Sequence, residues 1–143
     1  MVALSHFISR LGEKAIPLYR LLRCTEHFEW MDAAIAGLEE IKAILPTNPI
    51  LAAPNTGEPM LLYIAATHQV VSAVLVVERE TDGHKFPLQK PVYYVSTVLT
   101  PCNSRYPHYQ KIAYAVFMAS RKLQHYFQEC SITVASEVHL MIL

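Results

Sequence analysis

Apolar residues in the first 48 positions recur three and four apart, the spacing that gives a helix one buried face. Leu4, Phe7, Ile8 and Leu11 form one such set, and Gly12 follows where a helix commonly stops. Pro17 suits the first turn of a second helix carrying Leu18, Leu21 and Leu22 on one side. After Phe28 and Trp30, Asp32 is the expected N-cap of a third helix, with Ile35, Leu38, Ile41 and Leu45 inward and Pro46 as its stop.

The pattern then changes. Pro49, Pro54, Asn55, Gly57 and Pro59 make residues 49–59 a turn-rich linker. Near-continuous apolar runs at 60–66 and 70–78 predict two strands buried on both faces, separated by the polar step Thr67-His68-Gln69. Asp82-Gly83 is a turn signal, and Pro91-Val-Tyr-Tyr-Val-Ser96 reads as a third strand. Three strands with short connections pair antiparallel. Pro107 opens a long helix with Tyr109, Ile112, Ala113, Val116, Leu123 and Phe127 on one face and Lys111, Arg121 and Lys122 on the solvated one. A fourth strand at 131–135, reached through that crossover, is free to lie parallel to an earlier one. The class is α+β.

Charge and composition narrow the function. Twelve basic residues balance twelve acidic ones, so no global field draws nucleic acid or anionic membrane, and any such contact is local. Hydrophobic content of 52% excludes general disorder. Cys24, Cys102 and Cys130 have no Cys-x-x-Cys spacing, which argues against a zinc site or disulfide framework and for a reduced, intracellular setting, cytoplasmic or nuclear. The longest apolar runs fall short of the roughly 18 residues of a membrane span. Seven histidines show no ligand spacing. Four glycines form no phosphate loop, and neither Ser-His-Asp nor Cys-His catalysis can be assembled.

Six blocks in order, Leu4-Ser-His-Phe-Ile-Ser-Arg-Leu-Gly-Glu-Lys14, Pro17-Leu-Tyr-Arg-Leu-Leu22, His27-Phe-Glu-Trp30, Leu61-Leu-Tyr-Ile-Ala-Ala-Thr67, Pro91-Val-Tyr-Tyr-Val-Ser96 and Arg121-Lys-Leu-Gln-His-Tyr-Phe127, resemble plant gypsy-type retrotransposon polyproteins. The resemblance implies thumb or connection helices of a reverse transcriptase at 1–48, a linker at 49–59 and a partial ribonuclease H-like domain at 60–143. That fold has three antiparallel strands, a long helix and a fourth strand parallel to the first. It also implies polymerase and integrase as polyprotein partners, an RNA·DNA hybrid as ligand and paired Mg²⁺ ions held by clustered carboxylates.

The carboxylates are where this chain departs from the resemblance. The family's first Asp ends strand one, in a frame that here reads Ile64-Ala65-Ala66-Thr67, so Ala65 takes its place. The family's helix Glu falls at Gln110 or Ile112, and its third acid at Glu137, the one acid kept. The remaining family acid lies past Leu143. The site is therefore expected to be inert and to need no cofactor, with Ala65 and Ala66 finishing a buried strand against the long helix.

Arg105, Lys111, Arg121, Lys122 and His125 form a modest set for contact with nucleic acid, whose blander reading is a solvated helix face, or for His125 a partly buried helix position. Two other functions stay open: a domesticated module that binds protein or nucleic acid without cutting, and a ribonuclease H whose displaced ligands are Glu78, Glu80 or Asp82 with Glu137. A fold cut short after strand four would leave Ile132, Val134, Val138, Leu140, Met141, Ile142 and Leu143 at an open edge that self-associates.

Overall fold

The computed structural model describes residues 5–23, 29–47 and 50–137. Short helices α1 (Leu11–Lys14) and α2 (Ile16–Arg23) precede the longer α3 (Asp32–Ile44), which runs into a 3₁₀ turn at Leu45–Thr47. The strands are β1 (Met60–Ala66), β2 (Val70–Arg79), β3 (Leu88–Val98) and β4 (Ile132–Ala135), with α4 (His108–Lys122) and α5 (Gln124–Glu129) between the last two. The sheet order is β3-β2-β1-β4; β1 pairs antiparallel with β2 and parallel with β4, and β2 pairs antiparallel with β3. The expected α+β topology is the one observed.

One hydrophobic cluster joins the sheet to α4. Met60, Leu62 and Ile64 of β1 and Val71, Ala73, Leu75 and Val77 of β2 alternate onto the face that receives Ile112, Ala115, Ala119 and Leu123. Small Ala115 and Ala119 let the helix backbone approach, so bulky strand residues fill the gap. Burial of β1 on both faces does not occur: Tyr63 and Ala65 are exposed. Strand β2 comes nearer to it, with Val70 and Val76 buried as well. The β2–β3 register skips Val92, since Leu75 faces Tyr93 and Val76 faces Pro91. Pro91 has no N–H to give a ladder, and a bulge on an outer strand accommodates it.

The long helix departs from its expected outline at Leu123, Tyr109, Lys111 and Ala113, the last placed inward by periodicity but exposed. It breaks at Leu123, whose backbone leaves helical values while its side chain stays buried. Tyr109, placed inward by periodicity, is 56% exposed, because the alanines carry the contact. Lys111, placed in solvent, is buried and its Nζ donates to the His68 carbonyl at 3.2 Å.

The N-terminal helices hold a second cluster of Ile8, Leu11, Ala15, Leu18, Leu21, Ala34 and Ile41. Leu4 and Phe28 fall outside the described residues, Phe7, Leu22, Ile35 and Leu45 are exposed, and Asp32 is the first helical residue with no side-chain cap. Gly12 does not end a helix. It lies within α1, where its N–H donates to Ser96 Oγ at 2.7 Å, seating the helix on β3.

Two further segments bond to β3: Tyr94 N–H donates to the His6 carbonyl at 3.2 Å, and Ala52 N–H to the Pro91 carbonyl at 2.8 Å. The linker is clamped where Arg79 Nε and Nη2 donate to Glu58 Oε1 (3.0 Å) and Oε2 (2.9 Å). That fork, with the Asn55 N–H, holds the Glu58 carboxyl down at about 2. Strand β4 forms the other edge, with Ile132 and Val134 half-buried; the terminal apolar residues expected beside them, 138 and 140–143, lie outside the described residues.

A methyl group at Gly12 would collide with Ser96 Oγ and lie 3.0 Å from Val70 Cγ1. Gly12→Ala is expected to lower stability by about 1–3 kcal/mol, the range for forced overpacking. A urea midpoint equal to the parent's would show that α1 is not seated on β3.

Candidate metal centre and nucleic-acid face

Three chain ends meet at one end of the sheet. Strand β1 finishes there with Ala65 and Ala66. The parallel register ends at Tyr63 opposite Ala135, and two more residues along each chain bring Ala65 level with Glu137. The Lys111–His68 hydrogen bond ties the first turn of α4 to the β1–β2 turn, so Gln110 and Ile112 start their helix at the same end. Ala65, Gln110, Ile112 and Glu137 thus belong to segments that meet at one end of the sheet.

Its side chains are not those of a metal site. Ala65 turns an exposed methyl outward, so the expectation that it closes a buried strand is wrong; Ala66, half-buried against the main core, fits that role. Gln110 is exposed on the first turn of α4 and offers a neutral amide. Ile112 is 2% exposed, inside the main core. Glu137 is the one carboxylate of the four positions, and it is exposed. Among the described residues, no three His, Cys, Asp or Glu side chains stand close enough together to hold a metal ion. A pair of hard Mg²⁺ ions needs several carboxylate oxygens, which this donor set does not supply.

The displaced ligands fare no better. Glu78 accepts from Gln89 Nε2 at 2.9 Å near the start of β1, since Met60 pairs with Val77, and Glu80 and Asp82 follow it into the β2–β3 connection. Glu137 is level with the other end of β1, about 20 Å away along the strand.

The five basic candidates scatter. Arg105 is exposed at the end of a 3₁₀ turn, and His125 is exposed on α5, so it is not the half-buried helix residue of its blander reading. Lys111 is buried. Arg121 lies over the Phe117 ring, 5.9 Å from its centroid. Lys122 alone lines a cavity, where Nζ donates to Thr97 Oγ1 at 3.1 Å and to the Ser96 carbonyl at 3.5 Å. Partial desolvation there pulls its ammonium below the usual lysine value. Arg20 and Arg23 of α2 line the same cavity, a pairing across 99 residues of chain that periodicity does not reveal.

Comparison with known proteins identifies the family. The description "RNase H-like domain found in reverse transcriptase" matches residues 30–134. The chain belongs to this family. The Gag-Pol polyprotein of koala retrovirus is 35% identical over 110 residues, which is 77% of this chain and 6% of that protein. The Pol polyprotein of feline endogenous virus ECE1 is 29% identical over 112 residues, covering 78% of this chain and 10% of that protein. The Tf2-3 transposon polyprotein of Schizosaccharomyces pombe is 25% identical over 125 residues, 87% of this chain and 9% of its own length. The chain therefore spans about a tenth or less of the curated relatives it matches.

The foamy viral protease-reverse transcriptase dRH in complex with double-stranded DNA superposes with a TM-score of 0.81 at 22% identity, over 98% of this chain and 24% of that one. The same foamy viral enzyme in complex with RNA/DNA hybrid gives 0.79, over 96% of this chain and 18% of that one. These likenesses establish the RNase H-like fold. They span the N-terminal helices as well as the sheet, while the family match begins within the segment before α3. Retroviral and retrotransposon polyproteins are both among the relatives, so the resemblance to the plant gypsy branch holds at the level of the reverse transcriptase domain.

Ile112 tests the core beneath α4. Ile112→Glu is expected to cost about 2–4 kcal/mol, from lost packing and a buried carboxyl without a partner. A variant that melts with the parent would place residue 112 in solvent.

Proposed function

We propose that this chain is a segment of a retrotransposon reverse transcriptase, of the plant gypsy type, whose ribonuclease H-like domain supports nucleic acid without cutting it. One observation carries the reading: the position of the family's helix acid is taken by Ile112, 2% exposed in the main core, or by the neutral amide of Gln110. With Ala65 at the end of β1, two of the three family acid positions carry no carboxylate. Loss of one ligand already disturbs a preorganised metal site. What remains is a rigid sheet with α4 packed on one face and α1 seated on the other, suited to joining parts and holding a ligand in place.

In this reading residues 1–48 are thumb or connection helices, 49–59 the linker and 60–143 the ribonuclease H-like part. The separate hydrophobic clusters of the helices and the sheet support that division. The partners are the polymerase and integrase of the same polyprotein, and the open β4 edge is the natural seat for further chain or for a second copy. The six quoted sequence blocks support the gypsy assignment. The enclosing reading frame is expected to carry a polymerase Tyr-x-Asp-Asp motif upstream and an integrase downstream, and genomic sequence lacking both would sink that origin.

Incubated with an RNA·DNA hybrid and Mg²⁺ or Mn²⁺, the purified chain is expected to leave the RNA strand intact. Metal-dependent cleavage that disappears in Glu137→Gln would overturn the proposal.

A further inference from the structure

Between α2 and the end of β3 lies a cavity of about 590 Å³, and a smaller one of about 260 Å³ adjoins it across Ser5, Ser96 and Lys122. Together they form one groove. Its first wall is α2, presenting Tyr19, Arg20 and Arg23; its second is β3 with Lys122 at the end of α4, presenting Ser96 and Thr97. Three cations line the larger cavity, and no Asp or Glu among the described residues does. In a chain of zero net charge this is a strong local asymmetry. Lys122 sharpens it, since its ammonium donates to a hydroxyl and a carbonyl and has no carboxylate partner among the described residues. A partly desolvated ammonium without a carboxylate gains most from an anion.

We propose that this groove binds the sugar–phosphate backbone of a single nucleic-acid strand, with phosphates at Arg20, Arg23 and Lys122 and a base against Tyr19. The spacing suits the ligand. Residues three apart on a helix are surface neighbours, so Arg20 and Arg23 offer two guanidinium forks in a row. Lys122 faces them from the other wall, and the hydroxyls of Ser96 and Thr97 add neutral partners for phosphate oxygens. Tyr19, 39% exposed at this groove, supplies the aromatic face that makes strand binding sequence-tolerant. A basic groove combined with an aromatic platform favours an unpaired strand over a phosphorylated peptide, which would use the cations and leave the ring idle. The inference rests on the reading of this domain as a nucleic-acid support, and it assigns the contact to the β3 edge, where Ser96 lies two strands from Ala65 through Ser72.

Fluorescence anisotropy with a labelled strand of about twelve nucleotides tests it. The Arg20→Ala/Arg23→Ala double variant is expected to bind at least about ten-fold more weakly, the equivalent of one charged contact. Its salt dependence should flatten by about 1.4, two contacts at roughly 0.7 each for single strands. Lys122→Gln should weaken binding in the same direction, while Lys42→Ala and Lys85→Ala, on other faces, should bind like the parent. Both arginines are exposed, and melting temperatures recorded beside the parent's separate a binding loss from unfolding. Inorganic phosphate at the strand's own phosphate concentration should fail to displace it; displacement would make this a free-phosphate site and overturn the strand assignment. If the parent binds the strand or an RNA·DNA hybrid and the groove variants bind it equally, the groove is wrong and the support role stands. If the parent binds neither, both fall.

Discussion

The close contact of α4 with β1 and β2 is the constraint on which the rest of this structure depends. Ala115 and Ala119 bring the helix backbone down onto the sheet, and Ile112 and Leu123 wedge in at either end of that contact. Because the helix is held there, its first turn sits by the β1–β2 turn, and its far end must break at Leu123 to lead into β4. The crossover then lays β4 parallel to β1. A carboxylate at position 112 would need ions to offset its burial, and isoleucine instead adds to the core.

The end of the sheet where β1, β4 and α4 converge keeps its geometry, with one exposed carboxylate at Glu137. The polar interest of the molecule lies elsewhere, where α1 is pinned to β3 by the Gly12 to Ser96 hydrogen bond and α2 faces Lys122 across a groove. That junction between helices and sheet brings the arginines of one to the lysine of the other. The linker clamp of Glu58 and Arg79 and the bond from Ala52 to Pro91 hold the intervening chain against β2 and β3.

All four strands were legible as apolar runs between turn signals, and short connections gave the antiparallel pairs, while the place of β4 beside β1 came from the family resemblance. The quoted blocks pointed to the reverse transcriptase domain, which the comparisons establish, and in their frames Ala65 and Gln110 or Ile112 stand where the resemblance implies acids. The errors fell where a side chain's surroundings are made by distant chain. Periodicity put Tyr109 inward and Lys111 outward, since it weighs apolar bulk and does not know that alanines carry the helix contact. It read Gly12 as a stop signal, when the missing side chain serves a close approach to Ser96.

The sequence by itself determined the order and kind of the elements and the class of the fold, since each is written in residue types and short spacings. Only the tertiary structure decided that Ile112 is core, that Ala65 is exposed, and that Arg20, Arg23 and Lys122 share one groove. Burial and charge clustering are sums over neighbours far apart in the chain. No local pattern carries them until packing brings those neighbours together.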